Sequence, residues 1–230
     1  MEPAAPSLDI AKKSLLDEGF VDLGDQDVGE HVWEFEQREF PFYTEDGMDF
    51  LLQHILRKSA IRSLVSWFFG DKRCVLAHCL RYGAWPGHIE SFLGGRDAGR
   101  GALMVHLLAK RSTVDYYAKS HLHVFPAEKG ARLTRELSQS ALLEAGCEAR
   151  GKNLSLGGSV ILDARLGCEI REGYAITIIF MSEDLVARFR PPPMRLRNLP
   201  GLKTKVAAMQ ELSQNIGLNF VFGESIGTET

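Results

Sequence analysis

The stretch Gly157-Gly158-Ser159-Val160-Ile161-Leu162-Asp163-Ala164-Arg165-Leu166-Gly167-Cys168, continued by Gly173-Tyr174-Ala175-Ile176-Thr177-Ile178-Ile179-Phe180, decides the fold. Paired glycines mark a turn, Val160 to Asp163 reads as a buried strand, later glycines mark a second turn, and Ala175 to Met181 reads as another strand. The gaps between these runs are too short for the helix that a parallel crossover needs. No histidine occurs anywhere after His123, and Cys168 follows the second turn.

Working outward, the chain alternates between helical and strand periodicity. Ser7 is placed to cap a helix carrying Leu8, Ala11, Leu15 and Leu16, with Gly19 as its stop and Phe20 to Leu23 as a first strand. A second helical pattern runs from Asp46 through Phe68, interrupted near Lys58-Ser59 and closed by Gly70-Asp71. Strands are expected at Cys74–Leu80, His88–Leu93, Ala102–Leu108, Val114–Tyr117 and His121–Phe125. One helix, Thr134 to Ala145 with Gly146 after it, interrupts them. Pro191-Pro192-Pro193 is a stiff break, and a last amphipathic helix over about 203–216 carries Val206, Met209, Leu212 and Ile216. Many short strands with helices gathered at one end predict a mainly β fold with flanking helices, a helix-backed sandwich or barrel. We expect a single domain over 1–230: core about 72–190, helical support 7–70, and the carboxyl-terminal helix.

Composition narrows the function classes. Apolar residues make up 45% and charged residues 25% of the 230, enough for a substantial core. A net charge of −3 argues against a nucleic-acid footprint, and the basic run Arg188 to Arg197 is broken by prolines. The four cysteines form no CxxC pair, no apolar stretch reaches the ~20 residues of a membrane span, and Met1 to Pro6 carries no leader pattern. These features predict a cytoplasmic protein with no membrane partner. The aromatic run Val65-Ser66-Trp67-Phe68-Phe69, with Trp33 and Trp85, supplies either core or a homodimer surface.

Residue types then point to chemistry. His88-Ile89-Glu90 puts an imidazole and a carboxylate on one strand face, suited either to a metal ion or to acid–base work. Ser120-His121-Leu122-His123 offers further imidazoles, read as part of a zinc-like cluster or as turn histidines bonded to backbone. Polar residues expected to point inward include His106, Tyr116, Asp163, Arg165 and Thr177. Asp163 and Arg165 share a face and can equally form a structural ion pair. Register decides which of these line a cavity, because a slip of one residue reverses every side chain.

Several of these motifs resemble the phytanoyl-CoA dioxygenase-like group of the Fe(II)/2-oxoglutarate oxygenase superfamily, in particular its small fungal natural-product relatives. The resemblance spans roughly residues 15 to 182. Leu15 to Leu23 is similar to the family's opening helix and first strand, and His88-Ile89-Glu90 falls where its HxD/E motif stands. Lys119-Ser120-His121 resembles its Gly-Ser-His turn with lysine in place of glycine, and Gly157 to Arg165 resembles its Gly-Asp turn and strand. The resemblance implies a double-stranded β-helix, a jelly-roll of the cupin type. It also implies a facial triad of two histidines and a carboxylate, plus a basic residue for the cosubstrate. Cys168 stands where the second histidine is expected, and the strand Tyr174 to Phe180 carries no basic residue.

Three readings follow. The first is a small-molecule, natural-product tailoring enzyme running non-oxidative isomerase or cyclase chemistry without a cofactor. Its catalytic candidates are His88, Glu90, His121, Asp163 and Arg165, and its substrate-binding candidates are His106, Tyr116 and Thr177. The second is an Fe(II)/2-oxoglutarate dioxygenase with His88, Glu90 and Cys168 as metal ligands. The third is a non-catalytic ligand-binding or interaction protein.

Overall fold

Tyr174–Ser182 is a strand buried along its whole length, and its sequence says why. Ile176, Ile178 and Phe180 face one layer of apolar residues, while Ala175, Ile179 and Met181 face another. A strand covered on both faces needs no polar alternation.

The structure, a computed structural model, describes residues 5–70, 72–94, 99–130, 133–213 and 215–223; the expected helix stop at Asp71 and the first four residues lie outside them. The amino-terminal part is helical: α1 (Leu8–Asp17), β1 (Phe20–Asp22), α2 (Val28–Gln37), α3 (Glu45–Leu51) running into a π-helical turn at Leu52–Leu56, then α4 (Ser59–Phe69). The centre holds β2 (Cys74–Gly83), β3 (Ile89–Ser91), β4 (Ala102–Leu108), β5 (Ser112–Ala118), β6 (Ala127–Lys129), β7 (Arg135–Leu137), α5 (Gln139–Glu144) and β8 (Glu148–Leu154). The decisive stretch forms β9 (Gly158–Asp163), β10 (Gly167–Glu172) and β11 (Tyr174–Ser182). After it come α6 (Glu183–Phe189), β12 (Met194–Leu196), α7 (Pro200–Leu212), β13 (Ile216–Leu218) and β14 (Phe220–Phe222).

Two six-stranded sheets face each other, ordered β1-β9-β4-β11-β2-β13 and β6-β7-β3-β10-β5-β8. This is the expected double-stranded β-helix, mainly antiparallel, and its sheets do not close into a continuous barrel. The outer face of the first sheet (Ile161, Leu103, Val105, Ile178) merges with Phe35, Ile55 and Leu64 of the helices in one apolar cluster. Its inner face (Val160, Leu162, Met104, Ile179) packs on Val114, Tyr116 and Ile170 of the second sheet. Each fully buried side chain of this size contributes roughly 1.5–3 kcal/mol. Val65, Phe68 and Phe69 belong to the core, whereas Trp33 and Trp85 are exposed.

Several elements differ from the sequence expectation. Ser120–Leu122 is a tight 3-10 turn, where a strand over His121–Phe125 was expected. Lys119 precedes it in the left-handed region at φ 69°, the backbone for which glycine is the usual residue. The helix expected from Thr134 is β7 paired with β3 and β6, followed by the one-turn α5. The last helix runs over Pro200–Leu212, and Ile216 instead enters β13, which pairs in parallel with β2. β8 is an exposed, charged edge strand without apolar alternation, so no periodicity announces it.

One backbone contact fixes how α2 lies on the sheets. A Cβ on Gly29 would fall 2.0 Å from the Leu156 carbonyl oxygen and 2.8 Å from the Gly157 Cα, while Gly157 itself turns the chain at φ +89°. Gly83, by contrast, has open space where a Cβ would stand. Gly29→Ala is therefore expected to destabilise the fold by about 1–3 kcal/mol, as overpacking does, with Gly83→Ala within roughly 0.5 kcal/mol of the parent. Chemical denaturation of the two variants checks the difference.

Candidate functional site

Register assembles the site from both sheets. In the first sheet, His106 of β4 stands directly opposite Thr177 of β11, and Leu80 of β2 lies beyond it. In the second, Tyr116, Cys168, Glu90 and Glu136 are successive partners across β5, β10, β3 and β7. The two rows face each other. His106 Nδ1 lies 3.1 Å from the Tyr116 hydroxyl and so ties the sheets together. Phe20 stacks on the Tyr116 ring at 4.8 Å.

Between the rows is a cavity of about 40 Å³, bordered by His106, Thr177, Cys168, Glu90, Met104 and Ile170. That is room for a few water molecules, and small beside the ~300–1,000 Å³ of drug-sized ligand pockets. Burial sets the protonation of its groups. Desolvation pushes the His106 imidazole down to about 4, keeping the ring neutral near pH 7. Burial, then the neighbouring Cys168 and Asp22, raise the Tyr116 phenol well above its usual value. Burial and then Glu90 push the Cys168 thiol up to about 12. The Thr177 hydroxyl is buried with no hydrogen-bond partner among the described residues.

At the mouth stand Trp85, His88 and the two carboxylates. The indole of Trp85 stacks on the His88 ring at 3.7 Å, only 17° from parallel. His88 Nδ1 lies 2.7 Å from Glu136 Oε1, and the Thr134 hydroxyl donates to Glu90. Backbone bonds from Trp85 to Ile170 and from Gly87 to the Glu169 carboxylate moor this loop to β10.

The sequence-derived candidates divide into two places. His88, Glu90, His106, Thr177 and Cys168 border the cavity, and Tyr116 bonds to His106 from its wall. His121, Asp163 and Arg165 gather instead in a crevice on the helical side, with Leu15, Leu16 and Trp67. Asp163 alternates with inward-facing Leu162, so the parity of β9 turns it away from the cavity. Arg165 grips Asp163 through Nε and Nη2 at 2.8 and 2.6 Å, and its backbone N–H donates to the same carboxylate at 2.9 Å. His121 bonds the Leu16 carbonyl at 3.0 Å and backs onto Gly19. These three secure the turn between β9 and β10 and the seat of α1. Glu136, Trp85 and Thr134 escaped the sequence reading. Glu136 and Thr134 fall where a helix was expected, and a three-residue strand carries no periodic signal.

Iron and 2-oxoglutarate fit this residue set poorly. Burial and then Glu90 favour the neutral thiol at Cys168, so a metal would have to displace that proton before the sulfur could ligate it. Among the described residues, no group of three or more His, Cys, Asp or Glu side chains is arranged to hold a metal ion. No lysine or arginine is among the described residues bordering the cavity. Arg165 is spent on Asp163, Arg171 pairs with Asp115, and Arg81 lies over the Tyr174 ring on the outer face.

No protein-family model matches the chain, and no curated protein matches it in sequence. Solved structures match it in fold. The epimerase SnoN, solved in complex with Fe3+, alpha-ketoglutarate and nogalamycin RO, superposes with a TM-score of 0.53 at 14% identity, over 76% of this chain and 83% of that one. EvdO2 from Micromonospora carbonacea var. aurantiaca, solved with 2-oxoglutarate, gives 0.51 at 13% identity, over 79% and 94%. At such identity the likeness establishes a shared jelly-roll scaffold.

Proposed function

We propose that this protein is a small-molecule tailoring enzyme that uses an oxygenase-like scaffold for non-oxidative isomerase or cyclase chemistry. The observation that carries the proposal is a buried imidazole–phenol pair, His106 with Tyr116, in a cavity bordered by a protonated thiol where a metal ligand would stand. In this reading His88 at the mouth takes a proton from a carbon acid of the substrate, and Tyr116, relayed through His106, returns one to another atom. Electrons stay within the substrate, so no oxidant is consumed. General acid–base groups of this kind contribute about 10²–10⁴ in rate each. The epimerase SnoN, which is alpha-ketoglutarate dependent, shows that this scaffold can host a rearrangement of a natural product. Membership of the phytanoyl-CoA dioxygenase-like group, among its small fungal relatives, belongs to the same proposal. So does a cytoplasmic location, which suits four free cysteines. No described helix is long and apolar enough to cross a membrane.

A second reading keeps iron. His88, Glu90 and Cys168 border one cavity, and solved structures sharing the fold hold Fe3+ or 2-oxoglutarate. Anaerobic Fe(II) titration, with and without 2-oxoglutarate, separates the two. We expect no stoichiometric binding and no visible charge-transfer band, and a band that depends on Cys168 would overturn the proposal.

Turnover is testable without knowing the product. Candidate natural-product intermediates incubated in D2O should acquire deuterium without oxygen consumption. His88→Ala should slow the exchange by about 10²-fold or more. Equal exchange in parent and variant removes His88 from the mechanism.

The neutral His106 ring also ties stability to pH. Its folded value, near 4, lies below the ~6.5 of an unfolded histidine, so its contribution is complete above about pH 6.5 and is lost as pH falls toward 4. The shift corresponds to roughly 3 kcal/mol. Burial also pushes His54 down to about 4 and lowers His121, so urea titrations across that window should show a combined loss, of which His106→Gln should remove part.

A further inference from the structure

The HxE spacing suggests Glu90 as the carboxylate partner of His88, but the geometry points elsewhere: we infer that Glu136 is the positioning residue that sets the tautomer of His88. The inference rests on the proposed acid–base role of His88 and names the group that prepares it. His88 Nδ1 lies 2.7 Å from Glu136 Oε1, whereas Glu90 accepts from the Thr134 hydroxyl. An ionised carboxylate only accepts, so Nδ1 carries the hydrogen and Nε2 is left with its lone pair. A free imidazole in water favours the opposite form, with the hydrogen on Nε2. The Glu136 contact therefore reverses the intrinsic preference and presents a base at the other ring nitrogen.

The surroundings hold the arrangement. Trp85 lies flat on the His88 ring at 3.7 Å and fixes its plane, and the His88 backbone N–H donates to the Trp85 carbonyl at 3.2 Å. Glu136 is held by β7, where it stands directly opposite Glu90 of β3. His88 immediately precedes β3 and is two residues from Glu90 in sequence, yet its bond reaches Glu136 on the neighbouring strand β7. Both partners are about one-third exposed, 35% for His88 and 36% for Glu136, so the pair sits at the cavity mouth where a substrate can reach it.

Nitrogen-15 NMR of the His88 ring, in alkaline buffer where histidine is neutral, tests the inference on the intact chain without substrate. The parent should be mostly the Nδ1–H form. Glu136→Ala should shift the tautomer ratio by about tenfold toward Nε2–H, the scale of one charge-assisted hydrogen bond. Glu136→Asp should restore part of it, and Glu90→Gln should leave it unchanged. An Nε2–H parent, a Glu136→Ala ratio equal to the parent's, or a shift caused by Glu90→Gln overturns the assignment. The Trp85 indole signal, which reports the stack, shows whether Glu136→Ala keeps its fold; if it does not, Glu136→Gln carries the test. Its amide oxygen keeps the contact and loses the charge, so its ratio should fall between those of parent and Glu136→Asp on one side and free imidazole on the other. A tautomer set by Glu136 in a protein without turnover would sink the functional reading alone. Turnover that needs His88 but ignores Glu136 would sink this one alone.

Discussion

The parity of β11 governs the molecule. This strand is hydrogen-bonded to β4 on one side and β2 on the other, and every residue in it is buried. Its odd-numbered residues face the second sheet and its even-numbered residues face the helices. A slip of one residue would drive Ile176, Ile178 and Phe180 into the space between the sheets and turn Thr177 toward the helices. The apolar clusters on both faces forbid that slip, because each already has a complementary surface. Thr177, and His106 opposite it, are therefore delivered to the cavity by packing that has nothing to do with chemistry. A hydroxyl with no partner among the described residues is tolerable there only because the surrounding core over-determines the strand.

The same alternation disposes of the cations. Arg81 falls on the outer parity of β2 and lies over Tyr174, with Phe40 alongside. Arg165 sits past the end of β9 and is consumed by Asp163 in a buried, bidentate pair. Breaking such a pair leaves an uncompensated charge, so Arg165 is not free to turn toward a ligand. Arg171, outward on β10, meets Asp115. What remains at the cavity is neutral or acidic, an environment that welcomes uncharged or basic ligands and repels a dicarboxylate.

How much of this was legible in the sequence follows from burial. β4 and the core of β11 are continuous apolar runs bounded by glycines, and their positions were readable almost to the residue. The interruption expected near Lys58-Ser59 is the junction between the π-helical turn at Leu52–Leu56 and α4, which starts at Ser59 after Lys58; the π turn itself was not foreseen. The second sheet was harder because its outer strands are short or polar: β7 and β6 have three residues each, and β8 carries Glu148, Arg150 and Lys152 with no apolar alternation. The site inherits that asymmetry. Glu90, His106 and Thr177 lie on strands that patterning reveals, with His88 just before the first of them, whereas Glu136 lies on one it does not. His121, Asp163 and Arg165 carry the right chemistry for catalysis, but a turn and a strand parity send them to the helical side.

The electrostatics of the carboxylate row give the departures from an iron site a common logic. Glu90, Glu136 and Glu128 are consecutive partners across β3, β7 and β6, and like charges placed directly opposite are destabilising. A metal cation bound at the row would neutralise part of that charge. Here hydrogen bonds from the protein support the row without cancelling its charge: the His88 imidazole bonds Glu136, and the Thr134 hydroxyl donates to Glu90. At the next position, burial first and then Glu90 favour the neutral thiol of Cys168. A neutral thiol there packs as a small apolar group against the inner core. The neutral thiol, the absence of lysine and arginine from the described cavity border and the His88–Glu136 contact are thus mutually consistent. Each leaves the carboxylate row supported by hydrogen bonds from the protein itself.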